Sequence, residues 1–181
     1  MGFFIKNFWL KVWLFIFASA CALLWHRLQA NGYAQTKVVY SLEGKPDQEI
    51  INLIQHSNEY VYFAVYTLTR SNLSSALVAA KLRGIQVEGI LDGSQSTISQ
   101  EKTVIAQLQK YQIPLEIPEK SDGSLMHAKF VVTDAGYASG SYNWTTSATS
   151  YNDEVLEIGA VQGIKDQYLK IFRELWEKYQ K

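Results

Sequence analysis

Hydrophobic and polar positions after residue 35 fall into short runs of alternating kind. Lys37 to Tyr40 is a small β-branched and aromatic run that predicts a strand. Pro46-Asp47 then opens a helix carrying Ile50, Ile51, Leu53 and Ile54. Tyr60 to Leu68 is dense in β-branched and aromatic residues and predicts a buried strand. Ser71 to Arg83 reads as a helix, with Ser71 as cap and Gly84 as stop, and Ile85 to Leu91 as the next strand. This β-α-β-α-β order predicts an α/β fold, a mixed, largely parallel sheet with helices on both faces.

Asp92 to Gln100, rich in Gly, Ser and Gln, predicts a mobile loop. A helix near Glu101 to Tyr111 and a short strand near Leu115 follow, then a second polar loop, Glu119 to Ser124, leading directly into a strand from His127. Tyr137 to Ser139 and Glu154 to Val161 predict two more strands. Ile164, Tyr168, Ile171, Phe172, Leu175, Trp176 and Tyr179 form a helical stripe suited to core packing. The chain has no internal repeat.

The first thirty-four residues are of another kind. Lys6 and Lys11 precede the apolar run Val12 to Trp25, and small residues follow at Ala30, Gly32 and Ala34, the pattern of an export segment. As a helix the run spans about 21 Å, short of the roughly 30 Å hydrocarbon core. Including Phe8-Trp9-Leu10 and a snorkelling Lys11 extends it to about 27 Å. A cleaved signal peptide and an uncleaved anchor both fit. In either case residues 35–181 form one domain delivered outside the cytoplasm, periplasmic or membrane-anchored.

Charge and cysteine narrow the chemistry. Lys6, Lys11 and Arg27 face no acid in the leader, so the balanced chain conceals a domain of net charge about −3. That is unusual for a protein gripping a long duplex. The lone cysteine, Cys21, sits in the apolar run, which leaves the domain without disulfides or a thiolate metal site. No His/Cys/Asp ligand pattern is evident either, so no metal or other cofactor is expected.

The chemistry concentrates in one stretch, His127-Ala-Lys129 through Asp134, Gly140-Ser141, Tyr142 and Asn143, with Glu154 downstream. On a strand, His127 and Lys129 would share a face. An imidazole that can attack beside an ammonium that can neutralise an oxyanion is what covalent phosphodiester cleavage needs. Tyr142, Trp144 and Tyr151 flank these residues as candidate stacking surfaces or core. Of the other histidines, His26 lies in the leader and His56 in an early helix, where a surface or capping role fits.

These residues resemble the phospholipase D superfamily signature, His-x-Lys-x4-Asp followed by Gly-Ser-x-Asn, in its single-motif bacterial endonuclease-like branch. Here five residues, Ala135 to Ser139, separate Asp134 from Gly140, one fewer than is usual in that family. The resemblance implies a phospholipase D-like half-domain that dimerises, because the family sets two copies of the motif face to face. Within that scheme His127 is the nucleophile and Lys129 grips non-bridging oxygens. Asn143 donates to the same oxygens, with Ser141 in support and Tyr142 as a further substrate contact. Glu154 would accept from the second ring nitrogen of His127. Asp134 has two readings, a member of the catalytic set or a cap on the following turn. Three functions fit: a metal-independent nuclease acting on DNA or RNA through a phosphohistidine, a phospholipase D-type lipid phosphodiesterase or phosphatidyl transferase, and a binding module without turnover.

Overall fold

The chain divides into two compact units, residues 1–34 and 35–181. The computed structural model describes Phe17, Ser19, residues 36–119 and residues 123–180. The export segment expected from the sequence therefore lies outside the described residues, apart from Phe17 and Ser19. Among the described residues no helix is long and apolar enough to cross a membrane.

The described residues of the second unit form seven strands: β1 (Lys37–Tyr40), β2 (Tyr60–Val65), β3 (Gln86–Leu91), β4 (Leu115–Glu116), β5 (Lys129–Thr133), β6 (Tyr137–Gly140) and β7 (Val155–Gly159). They pair in the order β1-β7-β6-β5-β2-β3-β4. Helices α1 (Pro46–Gln55), α2 (Ser71–Leu82), α3 (Ser99–Lys110), α4 (Thr146–Ser150) and α5 (Gln162–Tyr179) connect or follow them. The sheet is mixed, as its sequence predicts. The expectation of a largely parallel sheet holds only for β2-β3-β4. β2–β5, β5–β6, β6–β7 and β1–β7 are antiparallel. The cause lies in the connections. Helical crossovers through α2 and α3 return the chain in the same direction, whereas a tight hairpin such as β5–β6 must reverse it.

Period-2 alternation sends β2 residues to two cores. Val61, Phe63 and Val65 join the larger one, with Ile50 and Ile54 of α1 and Leu73 and Leu77 of α2. Tyr62 and Ala64 join Phe130, Val132 and Phe172 on the opposite face, where α5 packs. The α5 stripe, apart from the exposed Ile171, is therefore core packing, with Phe172 buried and stacked on Tyr62 at 4.8 Å. Local signals set the helix ends. Pro46 occupies the first turn of α1, and Gly84, at φ 86°, follows α2 in the left-handed region that favours glycine.

The Asp92–Gln100 segment, expected as a mobile loop, is instead hydrogen-bonded structure. It contains a 3-10 turn, Gln95–Thr97, and the start of α3. Asp92 caps that turn, accepting from Ser94 N at 2.9 Å while its carbonyl accepts from Gln95 N at 3.2 Å.

Candidate active site

Strand register brings the candidate residues to one end of the sheet. Lys129 opens β5 opposite Val65, the last residue of β2. Gly140 ends β6 opposite Leu156 near the start of β7, and Tyr40 ends β1 opposite Val155. The loops from all of these ends gather there.

His127 precedes β5 rather than lying within it, so the expected strand face is replaced by a shared neighbour. The Tyr66 ring, just past β2, lies 4.5 Å from the imidazole, centroid to centroid, with the planes at 55°. Lys129 Nζ lies 5.0 Å from the centroid of the same ring. The ammonium also donates to the His127 carbonyl at 2.8 Å. His127 is exposed, and among the described residues neither ring nitrogen has a hydrogen-bond partner. Lys129 is only 8 % exposed. Burial lowers its pKa from the ordinary lysine value, and the negative charge of Glu154 opposes that shift.

Ser141 and Glu154 form the adjoining half of the cluster. Ser141 Oγ donates to Glu154 Oε2 at 2.5 Å and accepts from Val155 N at 3.1 Å. Asn152 Nδ2 donates to the other Glu154 oxygen at 3.3 Å. Ser41, buried after β1, accepts from Glu154 N at 2.9 Å and donates to the Asn152 carbonyl at 2.6 Å. The motif glycine has a steric reason: a Cβ on Gly140 would sit 2.0 Å from the Val155 carbonyl oxygen. The hydrogen bond expected between Glu154 and His127 does not form within the chain. β6 intervenes between β5 and β7, roughly 4.8 Å per step, so Glu154 meets Ser141 first.

Asn143 is held by its neighbour. Trp144 is buried against Phe63, ring centroids 5.7 Å apart. Its N–H donates to the Thr67 carbonyl, and its carbonyl accepts from Thr69 N and Arg70 N. Losing a buried ring of this kind typically costs about 3–5 kcal/mol, so the segment carrying Asn143 is firmly docked beside the end of β2. The Asn143 Oδ1 atom is buried with no hydrogen-bond partner among the described residues.

Two residues of the expected set stand apart. Asp134 follows β5 at its far end, roughly 16 Å from Lys129 along the strand. Its carboxylate accepts from Asn58 N at 3.0 Å and Glu59 N at 3.2 Å, tying the β5–β6 turn to the start of β2. Tyr142, read from the sequence as a substrate contact, is corrected by its burial. It is 1 % exposed in the larger core, its hydroxyl 2.6 Å from Thr149 Oγ1, because it points inward from the segment that Trp144 also anchors. Burial pushes its phenol pKa up to about 12. His56 caps the end of α1, its Nδ1 2.7 Å from the Asn52 carbonyl.

Sequence reasoning assigned no role to Tyr66, Asp92, Gln95, Ser41 or Asn152. Their positions at strand ends on the motif side were the available signal.

Comparison with known proteins identifies the family and the fold. Residues 50–176 match the family model described as cardiolipin synthase, PLD-like domain. A phospholipase D of Rickettsia conorii is 30% identical over 122 residues, covering 67% of this chain and 59% of that protein. A mitochondrial cardiolipin hydrolase of Xenopus tropicalis is 28% identical over 131 residues, 72% of this chain and 60% of its own length. The chain thus spans about three fifths of the curated relatives it matches. Among solved structures, the phospholipase D family member Nuc from Salmonella typhimurium superposes with a TM-score of 0.73 at 25% identity, covering 79% of this chain and 94% of Nuc. NucT from Helicobacter pylori gives 0.70 at 21% identity, covering 79% and 96%. With the match running from residue 50 to residue 176 and the His127–Asn143 stretch inside it, the chain belongs to the phospholipase D superfamily.

Proposed function

We propose that this chain is a metal-independent phosphodiesterase that cleaves nucleic acid, DNA or RNA, through a phosphohistidine on His127. The observation that carries the reading is an exposed, unbonded imidazole beside a buried ammonium, both packed on one tyrosine ring. A neutral imidazole nitrogen attacks phosphorus; the N–P bond forms as the P–O bond to the leaving group breaks. The departing oxygen takes a proton from a general acid on the opposite side. Water then attacks phosphorus, giving its proton to the group that had served as general acid, and the N–P bond breaks to return free His127. Lys129 holds the non-bridging oxygens as charge grows on them. We assign Nδ2 of the Asn143 side chain as a donor to the same oxygens, its Oδ1 being the buried acceptor end of the amide. Ser141 and Glu154 support that wall of the site.

The general acid is best supplied by a second copy of His127 in a homodimer. His56 lies beyond the opposite end of β2, about 20 Å of strand away, so no second imidazole of the described residues approaches the first. We further propose that residues 1–34 export the domain, as a signal peptide or an anchor, to the periplasm or the outer face of a membrane.

Support for nucleic acid over lipid comes from a one-motif chain whose fold matches almost the whole of Nuc. One observation favours the lipid alternative, a phospholipase D-type hydrolase or transferase. A surface groove of about 390 Å³ beside His127 is walled by Leu125, Met126 and Leu175, with Lys178 among its lining residues. Relatives named phospholipase D and cardiolipin hydrolase point the same way.

The full-length chain should be assayed in EDTA against labelled single-stranded DNA and RNA, phospholipid vesicles and a chromogenic phosphodiester, with His127→Ala as control. Nucleic-acid cleavage that disappears in the control is the expected result. Lipid turnover without nucleic-acid cleavage would replace the first reading by the second, and no turnover on any substrate would overturn both.

A further inference from the structure

We infer that Tyr66 is a positioning residue for both His127 and Lys129, and that Gln95 holds it in place. The inference rests on the phosphodiesterase reading above. One ring touches both groups, the imidazole at 4.5 Å and the ammonium at 5.0 Å from its centroid. The face of an aromatic ring attracts a cation, so the ring draws Lys129 over it while limiting where the imidazole can lie. The distance between the attacking nitrogen and the charge that receives the oxyanion is thereby set by a third side chain.

The ring is fixed at both ends. At its base, Tyr66 N donates to the Ala128 carbonyl at 2.8 Å, at the residue between His127 and Lys129. At its tip, the hydroxyl accepts from Gln95 Nε2 at 2.9 Å. Gln95 is itself oriented, its Oε1 accepting from Thr67 Oγ1 at 3.3 Å. Asp92 ties the network together. Its buried carboxylate caps the turn that carries Gln95 and accepts from Met126 N, the residue before His127, at 2.7 Å. The loops bearing Gln95 and His127 therefore share one anchor.

A merely structural tyrosine would affect folding; a positioning residue changes turnover of the folded enzyme. The test compares Tyr66→Leu, Tyr66→Phe, Gln95→Ala and the Tyr66→Phe/Gln95→Ala double variant with His127→Ala, using the full-length chain and a chromogenic phosphodiester. Tyr66→Leu should lower kcat by about tenfold to a hundredfold, the scale of a misplaced reacting group, with KM within about threefold. Tyr66→Phe keeps the ring and should recover most of that loss. Because Tyr66→Phe and Gln95→Ala break the same hydrogen bond, the double variant should be no slower than the slower single one.

Wild-type kcat in Tyr66→Leu, or additive losses in the double variant, would overturn the inference. If Tyr66→Leu does not fold, the Phe and Ala pair still decides. A wild-type chain inactive on every diester overturns the phosphodiesterase reading and this inference with it. An active chain, silenced by His127→Ala but unaffected by Tyr66→Leu, overturns the inference alone.

Discussion

Lys129 Nζ donates to the carbonyl oxygen of His127 at 2.8 Å, so the ammonium is bonded to the backbone of the residue proposed as nucleophile. An ammonium has three donors, and this bond leaves others for a phosphate. Lys129→Met should lower kcat on a chromogenic phosphodiester by about a hundredfold to a thousandfold, the scale of removing a preorganised oxyanion donor. Lys129→Arg should not restore it. The residue is 8 % exposed, and a planar, forked guanidinium does not reproduce the point charge and short reach of the ammonium.

The same burial fixes the alkaline limb of the pH–rate profile. In the proposed mechanism Lys129 acts as a cation, so activity should fall as pH rises through its pKa. Burial lowers that pKa, and the limb should therefore begin below the range of an exposed lysine. Glu154 raises it, so Glu154→Gln should move the limb to still lower pH, whatever it does to the plateau. A limb that stays in place, or moves upward, would show that Glu154 does not act on Lys129.

Asp134 separates stability from chemistry. Its carboxylate accepts from Asn58 N and Glu59 N at the end of the sheet remote from His127. Asp134→Ala should destabilise the fold by about 1–2 kcal/mol, as expected for lost bonds to a charged acceptor. Its kcat, measured on the folded fraction below the melting transition, should remain within about twofold of wild type. A large fall in kcat without loss of stability would return Asp134 to the catalytic set.

Glu101 makes a pH-dependent contribution to stability. It is fully buried on α3, accepts from Leu68 N at 3.2 Å, and has an Oε2 with no partner among the described residues. Burial pushes its pKa to about 7. The unfolded chain releases this proton near the ordinary carboxylate value, whereas the folded chain retains it until about pH 7. Stability from this group is thus full at acid pH and declines as pH rises through that window. Glu101→Gln should flatten the decline and stabilise the protein above pH 7 by on the order of 1–3 kcal/mol. Denaturant midpoints of the two proteins at pH 5 and pH 8 measure it.

Much of the fold was legible because its signals are local. Pro46 opening α1, Gly84 closing α2 and the alternation along Tyr60–Val65 each specify an element within a few residues. The direction of β5 beside β2 was not legible, since a pairing across about seventy residues leaves no local trace. The motif placed His127, Lys129, Ser141 and Glu154 at one sheet end, but two of their expected relationships differ. Glu154 meets Ser141 because β6 lies between β5 and β7, a fact of strand order. Tyr142 turned inward because Trp144, two residues on, shares its buried side of the chain. Tyr66 went unassigned because its role depends on contacts to two residues more than sixty positions away.

The most direct test follows the phosphorus atom. Full-length protein mixed with a phosphodiester labelled in the phosphoryl group, quenched in alkali and digested, should yield one acid-labile labelled peptide containing His127. The label should form no more slowly than product appears, and should be absent in His127→Ala. Hydrolysis at full rate with no label on that peptide at any quench time would contradict the account at its centre.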